Sequence, residues 1–253
     1  VNVTYNGDDN YDEATFTGGF TVNPIDSSVT VDPVNITYGE DEVIKYNVTD
    51  GATGNVTITI TGDALDEPIV LPEVPIVNGT VGVVVSDLLG GNYTVNITYN
   101  GDNNFNPSSA VANFSVSNAE PTVGVNTTDI DYNTTEPVKF NVTGVDGGAD
   151  PTGNVTVIVT NASGDVVFND TVDLSDGKKT VTVPVLPAGD YNVTVTYNGD
   201  ANYTNATGKG SFTVSAIDSA VTVEPTNITY GEDETIKFNV TEGATGTVNI
   251  TVT

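Results

Sequence analysis

The sequence predicts an all-β chain built from tandem β-sandwich repeats, and three observations support this fold class. Apolar and polar residues alternate along many short segments, as in residues 92–99, where Tyr93, Val95, Ile97 and Tyr99 alternate with Asn and Thr. This period of two is the signature of a half-buried strand. Gly, Asn, Asp and Pro separate the segments, and no helical period competes with them. Marker motifs recur at intervals of 94 and 98 residues, the size of one small domain.

Recurring markers divide the chain into four pieces. The most regular marker reads Tyr-Asn-Gly-Asp-x-Asn followed by an aromatic residue, and it occupies residues 5–11, 99–105 and 197–203. A second, Tyr-Gly-Glu-Asp-Glu, occurs at 38–42 and 230–234, with a degenerate copy at 132–136. We predict that residues 1–24 are the C-terminal part of a preceding repeat, that 25–117 and 118–215 are complete repeats, and that 216–253 are the N-terminal part of a following repeat.

The strand pattern within one repeat is typical of an immunoglobulin-like sandwich. In residues 25–117 we predict seven strands, near 28–32, 43–49, 55–61, 69–71, 80–86, 92–99 and 110–116, and seven short strands in about 95 residues suit that architecture. Tyr93 and Tyr191 each follow a glycine-containing turn before the penultimate strand, which predicts a tyrosine corner with a hydroxyl bonded to the preceding loop. Short joins between repeats predict an elongated rod.

Composition excludes several classes of function. The chain has 6 Lys+Arg, 34 Asp+Glu and no His, which gives a net charge of −28. Such a surface repels phosphate, so neither nucleic acid nor direct membrane contact is expected. Because His and Cys are both absent from the sequence, no Ser-His-Asp or Cys-His arrangement can form within this chain. We therefore predict no catalytic residues and no enzyme activity.

Glycosylation sequons give the strongest functional signal. In Asn-Val-Thr on a strand, Val faces the core while Asn and Thr share the outer face, so alternation presents the sequon to solvent. We predict N-linked glycans at a good fraction of these asparagines. The twenty sequon positions are Asn2, Asn35, Asn47, Asn55, Asn78, Asn92, Asn96, Asn113, Asn126, Asn133, Asn141, Asn154, Asn161, Asn169, Asn192, Asn202, Asn205, Asn227, Asn239 and Asn249.

Acidic segments have a structural and a calcium interpretation. The Asn-Gly-Asp segments favour tight turns with positive φ, and this is the preferred interpretation. The alternative is a calcium site of oxygen ligands, although the spacing does not fit an EF-hand. The middle repeat keeps only Glu136 of the second acidic marker, so the fold does not require the whole cluster. The calcium candidates are Asp8, Asp9, Asp12, Glu40, Asp41, Glu42, Glu232, Asp233 and Glu234. No other cofactor is expected.

Three lysines occupy one repeat position. Lys45, Lys139 and Lys237 each lie between two apolar residues on a predicted strand, so alternation places them outward. The preferred interpretation is a solvated lysine that discourages edge pairing. An autocatalytic Lys–Asn cross-link is the alternative, but it requires a buried lysine beside a carboxylic acid.

The turn and last strand of each repeat carry a family resemblance. Residues 197–203, Tyr-Asn-Gly-Asp-Ala-Asn-Tyr, followed by Gly-Ser-Phe-Thr-Val at 210–214, resemble the group 3 bacterial Ig-like (Big_3) repeat. The Asn- and Thr-rich composition is similar to that of adhesin-like surface proteins of methanogenic archaea. The resemblance implies a secreted, repeat-built protein with a role in attachment, and it implies no catalytic residue.

Three functional hypotheses follow. The first is a non-catalytic extracellular segment of a cell-surface adhesin-like protein that acts as a glycosylated stalk or spacer. The second is a structural subunit of an extracellular fibre or pilus-like filament, in which residues 1–24 and 216–253 pair between chains. The third is an Ig-like module that binds carbohydrate or calcium. The expected partners are neighbouring repeats, N-linked glycans and a host or neighbouring-cell surface or polysaccharide.

Overall fold

A computed structural model of the protein describes residues 1–76, 81–174 and 178–253. Strands and turns make up the regular structure of that part of the chain. Its first ten strands are β1 (Asn2–Tyr5), β2 (Ala14–Thr17), β3 (Val29–Asp32), β4 (Ile36–Thr37), β5 (Glu42–Val48), β6 (Asn55–Gly62), β7 (Ile69–Pro75), β8 (Val81–Val85), β9 (Gly91–Tyr99) and β10 (Ser108–Ser117).

The first complete repeat is a sandwich of two sheets. One sheet has the strand order β3-β5-β8, and the other has the order β4-β10-β9-β6-β7. The β4–β10 pair is parallel, and Ile36 lies opposite Val116. The chain therefore passes from the first sheet to the second between β3 and β4. All seven predicted strands are present in this repeat.

The core of this repeat consists of the inward positions of both sheets. Along β5, buried and exposed residues alternate without interruption, and Ile44 and Tyr46 are among the buried ones. Ile58 on β6 and Ile97 on β9 lie opposite each other and are fully buried. Each such side chain contributes about 2 kcal/mol relative to an exposed one. The outward positions carry the Asn, Thr and Lys residues, as alternation predicts.

The second complete repeat has the same topology. Its sheets have the orders β11-β13-β16 and β12-β18-β17-β14-β15. The strands from here to the end of the chain are β11 (Thr122–Asn126), β12 (Ile130–Asp131), β13 (Glu136–Thr143), β14 (Asn154–Asn161), β15 (Val166–Asp173), β16 (Lys178–Val183), β17 (Gly189–Tyr197), β18 (Ala206–Ser215), β19 (Val221–Glu224) and β20 (Lys237–Val240).

Sequence reasoning missed one element of each repeat. The two-residue strands β4 and β12 pair in parallel with the last strand of their repeat. Two residues are too few to show a period, so only the partner strand reveals them. Strand β7 also extends to Pro75, beyond the predicted end at residue 71.

Both predicted tyrosine corners are confirmed. The Tyr93 hydroxyl donates to the Leu89 carbonyl at 2.7 Å, and the Tyr191 hydroxyl donates to the Pro187 carbonyl at the same distance. The Tyr93 ring also stacks on Phe114, with centroids 5.2 Å apart. Each corner thus fixes the loop before the penultimate strand and fills the core with an aromatic ring.

Residues 1–24 and 216–253 expose the side chains that the complete repeats bury. Strands β1 and β2 form an isolated hairpin, and β19 pairs with β20. Val3 is 59% exposed, whereas Ile97, at the equivalent position, is fully buried. These segments therefore form strand pairs but not a core.

Packing divides the chain into two compact units. The first comprises residues 1–121, 143–152 and 199–206, and the second comprises residues 122–142, 153–198 and 207–253. The first unit thus includes two loops that sequence recurrence assigns to the repeat 118–215. In the described residues, no helix is long and apolar enough to cross a membrane.

Candidate functional site

The sequon asparagines lie mainly on outward strand positions. Asn47 on β5, Asn92 and Asn96 on β9, and Asn113 on β10 are exposed, and the residue after each of them is buried. Because Val or another core residue follows each asparagine, burial of that residue directs the asparagine and the sequon Thr or Ser outward. The fold therefore converts the sequon pattern into a polar outer face.

Most of the sequon asparagines that the structure describes are exposed to solvent. Asn78 lies outside the described residues, and none of the other nineteen is buried. Four are half-buried, namely Asn55, Asn141, Asn161 and Asn202. The remaining fifteen are exposed, although four of these, Asn2, Asn227, Asn239 and Asn249, belong to the segments without a core.

Three sequon asparagines line one open surface groove on the first repeat. Asn35, Asn92 and Asn113 lie in this groove beside Asp63 and Ser115. The Asn35 Oδ1 atom accepts the backbone N–H of Ser115 at 2.8 Å. The Asn113 Oδ1 atom accepts the Thr94 hydroxyl at 2.9 Å. Both bonds orient the side chain through oxygen, whereas an N-linked sugar is attached through Nδ2, so they do not compete with glycosylation.

The Asn-Gly-Asp segments are tight turns, which confirms the preferred interpretation. Gly7, Gly101 and Gly199 have φ of +76°, +82° and +84°, a region that favours glycine. After each glycine the aspartate Oδ1 accepts the backbone N–H groups two and three residues on, as Asp200 does from Asn202 and Tyr203 at 2.8 Å. These bonds close the loop.

The same aspartates tie two loops together in the complete repeats. The Asp102 Oδ2 atom accepts both the N–H and the hydroxyl of Thr53, at 2.9 and 2.7 Å. Asp200 accepts the same two groups of Thr152 at 2.8 Å. The Thr53 hydroxyl and the surrounding amides hold the pKa of Asp102 well below its usual value. For Asp200, burial raises the pKa, but the amide and hydroxyl of Thr152 and the loop amides together lower it.

The calcium candidates are mostly occupied in local hydrogen bonds. Glu40 and Glu232 each accept a backbone N–H three residues earlier in the chain, at 2.7 Å. Asp8 closes its own turn. Asp9, Asp12, Asp41 and Asp233 are exposed. Across the described ranges, no three acidic side chains approach closely enough to hold a metal ion.

Glu42 and Glu136 form a feature that the charge pattern did not predict, because both are fully buried. The Glu136 Oε1 atom accepts the Thr128 N–H at 2.8 Å, and its Oε2 atom accepts the Thr128 hydroxyl at 3.2 Å. Glu42 accepts the Val34 N–H at 2.9 Å in the same way. In each repeat this residue holds the segment where the chain changes sheets, between β3 and β4 or between β11 and β12. Glu42 is therefore a buried structural side chain and not part of an exposed acidic surface.

A threonine hydroxyl bonds the buried glutamate in the second repeat, and the first repeat lacks this hydroxyl. Position 34 is Val where the second repeat has Thr128, and the buried Glu42 Oε2 atom has no hydrogen-bond partner. We expect Val34→Thr to stabilise the first repeat by about 1 kcal/mol, because the new hydroxyl satisfies that oxygen. Denaturant unfolding monitored by hydrogen exchange measures the change in the free energy of unfolding for each repeat separately. The reciprocal variant Thr128→Val is expected to cost a similar amount, and equal stability of both variants and the parent chain would refute this account.

The repeated lysines lie outward as predicted. Lys45, Lys139 and Lys237 are exposed, and the neighbours of Lys45 on β5, Ile44 and Tyr46, are buried. The exposure of Lys45 matches the solvated interpretation and does not provide the buried amine that a Lys–Asn cross-link requires.

An aromatic cluster lies within the first compact unit. The rings of Tyr38 and Tyr203 meet edge to face with centroids 5.3 Å apart. The Tyr203 hydroxyl donates to the Ala149 carbonyl at 2.7 Å, and the Ala149 N–H donates to the Tyr38 hydroxyl at 2.9 Å. Beside them, the Gly90 N–H donates to the Asn202 Oδ1 atom at 3.0 Å. We call Tyr38, Ala149 and Tyr203 the tyrosine clasp.

The recurring Tyr-Asn-Gly-Asp marker identified the aromatic position at the end of this loop, but it did not identify the residues that contact the aromatic ring. Tyr203 is 2% exposed. Phe105 is half-buried, and Tyr11 is 70% exposed. The recurrence of Tyr38, Tyr132 and Tyr230 was the available signal for the other half of the clasp.

Together the strand order, the tyrosine corners and the repeated cores define tandem immunoglobulin-like β-sandwich domains. The group 3 bacterial Ig-like domain matches the chain twice, over residues 29–117 and 123–215. The chain therefore belongs to this family, whose domains are generally non-catalytic and are typically found in extracellular or surface proteins. No curated protein matches the chain in sequence.

Solved structures resemble the chain at low sequence identity. A two-domain fibronectin type III segment of chicken tenascin is 15% identical with a TM-score of 0.42, and the match covers 76% of this chain and all of that one. Fibronectin(III)-like modules of Clostridium thermocellum CbhA are 15% identical with a TM-score of 0.31, covering 75% and 95%. Escherichia coli alpha-2-macroglobulin activated by porcine elastase is 13% identical with a TM-score of 0.34, and the match spans 85% of this chain but only 25% of that protein.

Proposed function

We propose that this chain is a glycosylated stalk or spacer segment of a cell-surface adhesin-like protein. The observation that carries the proposal is the outward position of the sequon asparagines on strands whose alternate residues form the core. Asparagine followed two residues later by threonine on an outward face forms the sequon spacing. Its recurrence at exposed positions in both complete repeats supports a role as glycan acceptor.

The proposed role is to project a binding element away from the cell. The segment itself resists both association with other proteins and proteolytic cleavage. Carboxylates and sugars hydrate the outer faces and discourage edge-to-edge pairing of sheets. The six lysines are the only cationic residues in the sequence, so a trypsin-like protease has few cleavage sites. We propose a host or neighbouring-cell surface, or a polysaccharide, as the target of the complete protein.

Intact mass spectrometry of material from the native organism tests this proposal. The measured mass is expected to exceed the mass calculated from the amino-acid sequence of the isolated material, in steps that match one glycan composition. Peptide mapping then assigns the occupied asparagines. A bare-polypeptide mass would exclude the glycosylated spacer.

Site occupancy gives a sharper prediction, because two sequons in one loop have different surroundings. Asn205 is exposed, whereas Asn202 is half-buried and its side chain lies against Gly90, which leaves less room for a sugar. The space around Gly90 is already filled, since a Cβ there would lie 2.8 Å from the Ala201 carbonyl oxygen. We expect glycan on most copies at Asn205 and on few at Asn202, as measured by glycopeptide analysis. Equal occupancy at both sites would contradict this account of the loop.

A further inference from the structure

The loop between β13 and β14 is longer than its counterpart in the first repeat. Residues 47–49 and 141–143 both read Asn-Val-Thr, and the next Asn-Val pair begins at Asn55 in the first repeat and at Asn154 in the second. The second repeat therefore has five additional residues at this point. We call residues 144–152 the long loop.

The long loop packs on the turn that contains Tyr38 and Gly39, and both belong to the first compact unit. The Ala149 N–H donates to the Tyr38 hydroxyl at 2.9 Å, as part of the tyrosine clasp. A Cβ atom at Gly39 would lie 2.8 Å from Val145 Cγ2 and 2.9 Å from the Asp146 carbonyl oxygen, closer than real Cβ atoms approach. The absence of a side chain at Gly39 is therefore what lets the loop come this close.

The fit is equally close on the side of the loop. A Cβ atom at Gly147 would lie 2.8 Å from the Gly39 carbonyl oxygen, and one at Gly148 would lie 2.8 Å from the Tyr38 ring. Glycines thus face each other across the contact. Such packing has no room for an additional heavy atom on either side.

A further glycine of the first repeat also contacts the following repeat. The Gly90 N–H donates to the Asn202 Oδ1 atom at 3.0 Å, and a Cβ atom at Gly90 would lie 2.8 Å from the Ala201 carbonyl oxygen. Gly90 lies three residues before the corner tyrosine. The second repeat has Ala188 at that position, so a side chain stands where the first repeat has none.

The second repeat also carries a side chain at the position of Gly39. That position is Asn133, which keeps a left-handed backbone with φ of +72°, compared with +92° at Gly39. The repeat that follows Asn133 has the short form of the loop, because residues 239–247 span the same interval as residues 47–55. Glycine thus precedes a repeat with the long loop, and asparagine precedes a repeat with the short one.

We propose that Tyr38, Gly39 and Gly90 form a docking surface for the following repeat, and that this surface selects a repeat with the long loop. The Tyr38 hydroxyl bonds the loop, and Gly39 leaves the space that Val145 occupies. A side chain at position 39 excludes the long loop, so neighbouring repeats are not interchangeable. The inference does not involve glycans, so its failure leaves the spacer proposal standing and the reverse also holds.

Gly39→Asn tests the docking surface, since Asn133 shows that asparagine adopts this turn. Hydrogen exchange on the full chain follows the Ala149 amide, whose partner is the Tyr38 hydroxyl. We expect the protection of this amide to fall by about tenfold or more, while β5 and β9 keep theirs. Unchanged protection of Ala149, or an equal loss throughout the first repeat, overturns the proposal.

Gly164→Asn is the matched control for this substitution. Gly164 also has a positive φ, +88°, but nothing lies within 4 Å of a Cβ atom there. The asparagine therefore enters open space, and the Ala149 amide is expected to stay as protected as in the parent chain. A loss of protection equal to that of Gly39→Asn would overturn the role of close packing at Gly39.

A loop exchange separates docking from an effect on the turn itself. The long loop is replaced by Asp-Gly-Ala-Thr, which is residues 50–53 of the first repeat. Its threonine takes the place of Thr152, so Asp200 keeps a partner. In this short-loop chain, Gly39→Asn is expected to leave the denaturant midpoint of unfolding unchanged, whereas it lowers the midpoint of the parent chain. An equal shift in both chains would show that asparagine disturbs the turn and not the contact with the loop, which refutes the proposal.

Discussion

Glu136→Ala is expected to lower the free energy of unfolding of the second repeat by about 3 kcal/mol. The carboxylate is fully buried and accepts the backbone N–H and the hydroxyl of Thr128. Alanine removes both acceptors of Thr128 and leaves empty space at a fully buried position, and both losses destabilise the repeat. The segment where the chain changes sheets then keeps its short parallel strand and the bonds of Thr127 to Ser211 and of Asp129 to Thr213, but it loses its link to β13.

Denaturant unfolding measures the loss, and hydrogen exchange assigns it to β11–β13. Asp170→Ala on the exposed face of β15 is the control, and its effect is expected to lie within about 0.5 kcal/mol of zero. Glu42→Ala is expected to cost less than Glu136→Ala, because Glu42 lacks the hydroxyl partner. If Glu136→Ala were no more harmful than Asp170→Ala, the bridging role would be wrong.

Tyr203→Ala is expected to cost about 4 kcal/mol, the largest loss from any single change considered for this chain. The variant removes a ring that is 2% exposed, together with its contact to Tyr38 and its bond to Ala149. Amide protection in residues 143–152 and 199–206 is expected to fall with it. Tyr203→Phe keeps the ring and is expected to lose only about 1 kcal/mol, the share of the hydroxyl bond.

Phe105→Ala is the matched comparison for this prediction. Phe105 occupies the same position of the first repeat, but it is only half-buried and has no hydroxyl. Its removal is therefore expected to cost clearly less than Tyr203→Ala. Equal losses would show that the tyrosine clasp adds nothing to the packing of the loop itself.

The fold was predictable because alternation and recurrence report it directly. Seven strands of residues 25–117 and both tyrosine corners follow from the sequence. Strand β4 does not, since its only signal is the partner strand β10. The outward position of most sequon asparagines also follows, because it depends on the same period of two.

The parts that sequence reasoning missed depend on contacts distant along the chain. Glu42 is in phase with Ile44 and Tyr46, so alternation alone placed it inward, but its charge suggested an exposed cation ligand. Only the Val34 amide, eight residues away, explains why the carboxylate is buried. Tyr38 and Tyr203 are separated by more than one repeat, so no local pattern connects them.

Because inward and outward residues alternate along each strand, the exposed residues can change in evolution without changing the core. On β6, Thr57 faces outward between the buried Val56 and Ile58, and Thr59 follows at the next outward position. A single change of Thr57 to Asn would create a new acceptor without altering one core side chain. The number of sequons on such a chain is thus free to vary between lineages while its interior stays constant.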